Sequence, residues 1–227
     1  MFPGVKMLFR RKSAVTVTVG VLSSLCYFSD LIKAQQATTP MIGYAETDCL
    51  GNSDTVLTIP FHRFPDFTGI LGARPNVSDD VVELTPAGSP GWTANQFSGS
   101  HYLVFLEGRA TGLQLEILSS TAGTVTVRDT TGILKAARDG EKFQIIPHWT
   151  LGALFPSDSQ ETLHVSDGML PPDRGSEILV YPLESEGSGL VPTSIYFLTA
   201  EGWHEVASGF PEADDVVLPP GCVFIVR

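Results

Sequence analysis

The chain carries Leu-Gln-Leu-Glu-Ile-Leu at residues 113–118 and Thr-Val-Thr-Val-Arg at residues 124–128, and these two stretches decide its fold class. In the first, every second residue from Leu113 is Leu or Ile, and in the second every second residue from Val125 is Val. Alternation with a period of two is typical of a strand that buries one face. Residues 119–123 lie between them and end in glycine, which predicts a hairpin.

Similar short apolar stretches, rich in Val, Ile, Phe and Tyr and bounded by Gly, Pro, Asp or Asn, recur along the chain. They are residues 55–60, 67–72, 81–85, 102–106, 142–147, 177–182, 194–199, 202–206, 215–218 and 222–226. This pattern predicts an all-β fold, a sandwich or barrel of about a dozen short, mainly antiparallel strands. A single helical turn is expected at 151–155. The least strand-like part, 155–175, would hold the boundary if the strands form two lobes.

The first 34 residues are interpreted as a signal peptide with a helical core. Arg10, Arg11 and Lys12 precede an apolar run at 14–28, and the small residue Ala34 follows. A basic end, a short apolar segment and a small residue at the cleavage point are the marks of a secretory leader. The run is shorter than the roughly 20 residues of a stable membrane span. We therefore expect a β-rich exported domain at 35–227, with an uncleaved anchor as the alternative.

Charge excludes one class of partner. After Ala34 the chain keeps nine basic and 24 acidic residues, a formal net charge of −15. A surface of this sign repels a phosphate backbone, so nucleic acid is not an expected partner. The predicted compartment is outside the cytoplasm: secreted, periplasmic or on the outer cell surface.

Two cysteines remain after the leader, Cys49 and Cys222, near the two ends of the exported domain. Export makes a disulfide between them chemically permissible, and it would close almost the whole domain. The alternative is a pair of free thiols that pack as small apolar groups.

Aromatic side chains are the candidate ligand-binding groups. Trp92, Trp203 and Tyr102 stand beside turns or at strand starts, where flat rings stack against sugars if they are exposed. The alternative is that these rings seal strand ends. Trp149 is expected in the core, because the apolar block at 145–155 surrounds it.

Neither a catalytic residue nor a metal ligand nor a cofactor is predicted from the motifs. The five histidines, His62, His101, His148, His164 and His204, do not stand at zinc-ligand spacing. Strand pairing can nevertheless bring distant histidines together, which leaves a spatial cluster open.

Four segments of the sequence resemble those of a known family: residues 50–55, 90–97, 145–156 and 224–227. Together they resemble an uncharacterised family of secreted, β-rich proteins that occurs as paralogues in verrucomicrobial bacteria. The resemblance covers nearly all of the chain from about residue 40 onward. It implies export and a shared β-rich fold, and it transfers no catalytic residue.

The leading hypothesis is therefore a non-enzymatic structural or interaction protein of the cell surface or extracellular space. Its partners would be other cell-surface proteins, itself or glycans. Self-assembly would require an unpaired, uncharged edge strand or a large exposed apolar patch. A carbohydrate-binding module is the alternative, and a hydrolase of extracellular polymers, with two carboxylates in a cleft, is the third choice.

Overall fold

A computed structural model describes residues 47–49, 51, 53–182 and 190–227. The signal peptide and its helix lie outside the described residues. Within these ranges the chain forms fourteen strands, one four-residue α-helix and two short 3-10 helices. The strands build antiparallel sheets, so the all-β prediction is confirmed.

All twelve predicted strands are present. The strands are β1 Thr55–Thr58, β2 Phe67–Ile70, β3 Asn76–Ser78, β4 Val81–Leu84, β5 His101–Phe105, β6 Gln114–Ser120, β7 Val125–Arg128, β8 Lys142–Pro147, β9 Trp149–Thr150, β10 Glu177–Val180, β11 Ser194–Thr199, β12 Gly202–Glu205, β13 Val217–Leu218 and β14 Val223–Val226. The predicted helical turn is helix α1, Leu151–Leu154, and the 3-10 helices are Ile133–Ala136 and Pro171–Asp173. Strands β3 and β9 were missed because two or three residues are too few to show alternation.

Seven strands form the larger sheet, in the order β2-β8-β5-β6-β7-β4-β3. The hairpin of β6 and β7 turns where the Thr121 N–H donates to the Thr124 carbonyl at 2.9 Å. The sheet curves until its two ends meet at an isolated bridge between Leu71 and Pro86, which makes it a half-barrel. Its inner face supplies the first core, including the fully buried Leu103.

Five strands form the second sheet, in the order β1-β14-β10-β11-β12. One face of this sheet packs on α1 and on the short ladder of β9 with β13, and the second core lies between them. Residues of that core include Leu151, Ile178, Leu198, Trp203 and Phe224.

The chain changes from the first core to the second between Ile145 and Leu151, ahead of the expected lobe boundary at 155–175. That segment belongs to the second core instead, because Leu163 is buried there and its N–H donates to Gln160 Oε1 at 2.7 Å. Its prolines prevent regular strands without preventing burial. Residues 45–227 form one compact unit.

Candidate functional site

The segment from 59 to 66, called the connector below, runs from β1 of the five-stranded sheet to β2 of the seven-stranded sheet. His62 Nδ1 lies 2.5 Å from the Tyr102 hydroxyl. The Trp149 indole N–H donates to the Phe61 carbonyl at 2.8 Å. Arg63 donates from Nη1 to the carbonyl of His148 at 3.1 Å. These polar contacts tie the connector to β5 of the seven-stranded sheet and to the segment from His148 to β9.

The last residue of the connector, Asp66, contacts a second histidine, His101. His101 Nε2 lies 2.9 Å from Asp66 Oδ2, and its Nδ1 lies 2.7 Å from the Ser100 hydroxyl. Both ring nitrogens of His101 are therefore engaged. The Phe97 ring meets the imidazole edge-on, with the ring centroids 5.1 Å apart.

Strand pairing explains why three of the five histidines come together. His101 opens β5 and lies opposite Pro147, the last residue of β8, so His148 follows at the same end of the sheet. Tyr102 sits between them, with its ring centroid 5.0 Å from that of His148 and 5.9 Å from that of His62. Motif spacing does not reveal this cluster. The sequence does show one histidine at the start of a predicted strand and another just after a second predicted strand. This becomes a signal for the cluster only when it is known that those two strands pair.

Burial keeps two members of the cluster uncharged near neutral pH. It lowers the pKa of His148, and the neighbouring His101 lowers it further. The Nδ1 atom of His148 is buried and makes no hydrogen bond within the described residues. Burial also raises the pKa of the Tyr102 hydroxyl to about 12. Both groups are therefore uncharged near neutral pH in the folded state.

A cavity of about 130 Å³ opens beside this cluster. Its lining includes His62, Tyr102, Gln114 and Trp149. The volume is well below the roughly 300 Å³ at which small-molecule sites begin, and it suits a few water molecules. Among the residues described, no group of three or more His, Cys, Asp or Glu side chains is placed to hold a metal ion.

The three aromatic residues predicted to stack against sugars are all buried. Trp203 is 0% exposed, Tyr102 4% and Trp92 8%. Trp92 packs edge-on against Phe67, with a centroid distance of 4.8 Å, and the Trp203 indole donates to the carbonyl of Phe155 at 2.8 Å. Trp92 belongs to the first core and Trp203 to the second, while Tyr102 is covered by His62 of the connector. These three residues therefore lack the exposed faces that stacking against sugars requires.

Trp149 was predicted to lie in the core, and the structure places it at the edge of the second core. Trp149 packs against the second core but is only partly buried, and the Arg63 guanidinium covers its ring at 5.7 Å from the centroid.

Cys49 is exposed, Cys222 is buried, and both are free thiols. The expected disulfide is therefore not formed, and Cys222 packs as a small apolar residue.

Sheet edges are the second feature with functional meaning, since an open edge presents unpaired backbone groups. The edge at β12 is covered by its own chain: the Glu205 N–H donates to the Pro211 carbonyl at 3.0 Å. The edge at β2 meets the far end of its own sheet, where the Ala87 N–H donates to the Ile70 carbonyl at 2.8 Å. In the described part of the chain, two of the four edges of the five- and seven-stranded sheets are thus covered by the same molecule.

The remaining edges differ in length and charge. Strand β3 has three residues and is followed directly by Asp79 and Asp80. Strand β1 has four residues, Thr-Val-Leu-Thr, none of them charged. Within the described residues, β14 alone pairs with β1, which leaves the other side of the strand open.

The outward face beside this edge is apolar. Val56 is 63% exposed and lies opposite Ile225, while Thr58 lies opposite Val223, which is 39% exposed. Residues directly opposite one another share a face, so Val56, Val223 and Ile225 form one patch, called the outer patch below.

An ion pair lies at the start of β1. Arg227 donates from Nε and Nη2 to the two carboxylate oxygens of Asp54, at 2.8 Å each. These hydrogen bonds lower the pKa of Asp54. The charge of Asp54, the residue that precedes β1, is thereby paired with that of Arg227.

Comparisons with known proteins add no identity. No family model, curated protein or solved structure matches this chain. The verrucomicrobial family therefore stays a prediction. In the part of the chain that the structure describes, none of the helices has the length and apolar character that a membrane crossing needs.

Proposed function

We propose that this chain is an exported, non-enzymatic protein of the cell surface or extracellular space, with a structural or interaction role. The observation that carries the proposal is the open, uncharged edge strand β1 beside the outer patch. An extended segment of a partner adds to such an edge by main-chain hydrogen bonds, and side chains at alternate positions give specificity.

The contacts of the histidine cluster support a structural rather than a catalytic role for it. His62 contacts Tyr102, His101 contacts Asp66 and Ser100, and each of these contacts holds the connector or the end of β5 in place. The cavity beside the cluster has no carboxylate in its lining among the residues described. A second cavity, lined among others by Arg109, Thr131 and Lys135, has none either. The hydrolase hypothesis, which needs two carboxylates in one cleft, gains no support from them.

The acidic surface also favours an interaction through β1. The whole chain carries a formal net charge of −11, so most of its surface repels other acidic proteins. The neutral β1 edge is a place where an acidic surface protein can approach without that cost. It is also bordered by exposed apolar side chains that gain from being covered.

Cell fractionation tests this proposal. We expect the wild-type chain outside the cytoplasm and attached to the cell envelope, and the variant Val56→Lys released into the medium, because a charge on the edge opposes strand addition. The matched control is Ile133→Lys, which places the same charge on an exposed aliphatic residue beside the seven-stranded sheet. Wild-type chain in the cytoplasm, or equal retention of both variants and wild type, would overturn the proposal.

A further inference from the structure

We infer that the partner on the β1 edge is a second copy of this chain, whose own β1 pairs with it antiparallel around a twofold axis. This inference rests on the proposed function and names its partner. It joins the two five-stranded sheets into one continuous sheet.

Geometry restricts how the two copies meet. An axis normal to the sheet is the only twofold that pairs a strand with itself in antiparallel order, and it keeps the outward face of one copy level with that of the other. Val56 and Thr58 face outward, so Val56 must lie opposite either the partner's Val56 or the partner's Thr58. In both registers the outer patches of the two copies become neighbours. With Val56 opposite Thr58, uncharged residues meet uncharged residues. With Val56 opposite Val56, each Thr58 lies opposite the partner's Asp54, whose charge Arg227 already pairs.

The uncharged β1 edge does not itself repel a second copy, and it gives a basic partner no free charge to bind. A basic partner would be drawn to the acidic surface, and the strand offers it no carboxylate, because Asp54 beside it is already bound by Arg227. Two copies, by contrast, carry the same negative charge and can approach closely where that charge is absent. The β1 edge meets this condition, whereas β3 is followed by two aspartates.

Symmetry also limits the size of the assembly. A twofold contact uses the same edge in both copies, so the pairing closes at a dimer. The opposite edge of the joined sheet is β12, which its own chain covers. The dimer does not extend into a fibre through this sheet.

The contact is small, and this sets its strength. Four residues of strand rise about 13 Å, at roughly 3.3 Å per residue. A contact of this length with a narrow apolar border falls below the roughly 1,000 Å² of a permanent interface. The dimer is therefore weak and depends on concentration, which suits chains crowded at a surface.

Sedimentation equilibrium over a micromolar to millimolar concentration series tests the inference. The chain is used as the cell processes it, with its N terminus read by mass spectrometry. We expect a monomer–dimer equilibrium for wild type and for Ile133→Lys. In both registers Val56→Lys brings the lysines of the two copies directly or diagonally opposite each other, and it should raise the dissociation constant at least tenfold. Thr58→Lys does so in the register that pairs Thr58 with Val56, and there it should have the same effect. Circular dichroism confirms that each variant is folded.

Three outcomes would overturn the inference: wild type that stays monomeric throughout the series, Val56→Lys and Thr58→Lys that dimerise like wild type, or equal loss of dimer in Ile133→Lys. The fractionation experiment separates this result from the proposed function. If wild type is monomeric but Val56→Lys still leaves the envelope, the partner is another protein and only the dimer is wrong. If the charge has no effect in either experiment, both proposals fail.

Discussion

The five- and seven-stranded sheets carry different kinds of side chains on their outer faces. On the seven-stranded sheet, polar side chains pair across the strands: Gln144 donates to Thr68 at 3.2 Å, and Arg128 lies 3.6 Å from Glu116. On the five-stranded sheet, the outer face next to the open edge carries Val56, Val223 and Ile225. The first sheet joins the end of β2 to the residues that follow β4 and leaves only the short edge β3, which two aspartates follow. The second keeps an open edge with an apolar border, and this difference supports the proposal that the five-stranded sheet carries the interaction.

The largest effect is expected from the core of the five-stranded sheet. Trp203→Ala removes a fully buried indole and leaves the Phe155 carbonyl without its donor. We expect a loss of about 3–5 kcal/mol in the free energy of unfolding. Urea denaturation followed by circular dichroism measures it.

Trp203→Phe is the matched control, because it keeps an aromatic ring and loses only part of the volume and the hydrogen bond. Its cost should be clearly smaller. A loss below about 1 kcal/mol for Trp203→Ala would mean that this core contributes little, and the comparison between the sheets would have to be redrawn.

The next effect concerns the outer face of the seven-stranded sheet, where the connector buries Tyr102. Its folded pKa of about 12 exceeds the unfolded value of about 10, so the folded state keeps the proton longer. The stabilising contribution is complete below pH 10 and is lost as the pH rises through 12. This shift of two pKa units corresponds to about 3 kcal/mol in the free energy of unfolding.

Ultraviolet absorbance of phenolate, measured during alkaline titration, checks this prediction. Wild type should show a late step near pH 12 that Tyr102→Phe lacks. If the step that Tyr102→Phe removes lies near pH 10 instead, the connector does not bury this hydroxyl in solution.

The smallest effect is expected from His148, at the same end of that sheet. Its folded pKa is lowered by burial and by His101, while the unfolded chain takes up a proton near pH 6.5. The unfolded state then binds more protons, so stability falls as the pH drops below about 6.5 and levels off below the folded pKa. His148→Gln should flatten this part of the stability curve.

Thermal unfolding between pH 5 and 8 measures the effect. The variant His164→Gln, at an exposed histidine, should keep the wild-type acid dependence. An unchanged slope in His148→Gln would show that His148 is accessible to protons in the folded state.

The fold was largely predictable from the sequence, because alternation of apolar residues reports directly which side of a strand is buried. The hairpin at 113–128 is the clearest case, and its strand β6 extends to Ser120 with a bulge between Ile117 and Ser119. A bulge has no periodic signature, so its position was not predictable. The helical turn at Leu151 was predictable because Thr150 caps it, accepting from the Ala153 N–H.

The candidate sites were less predictable, because they depend on which strands become neighbours. Trp92 and Trp203 stand beside turns in the sequence, yet sheet curvature and loop packing bury them. The approach of His62 to Tyr102 depends on a connector that carries no pattern of its own. The open edge of β1 likewise follows from strand order, since nothing in Thr-Val-Leu-Thr distinguishes an edge strand from a central one.

Hydrogen–deuterium exchange of the β1 amides at low and high protein concentration shows whether the open edge becomes covered. We expect protection of residues 55–58 to increase with concentration, because a second copy covers the open edge, while protection of residues 67–70 in β2 stays constant. Protection of β1 that does not change with concentration, or that changes equally in both strands, would contradict it.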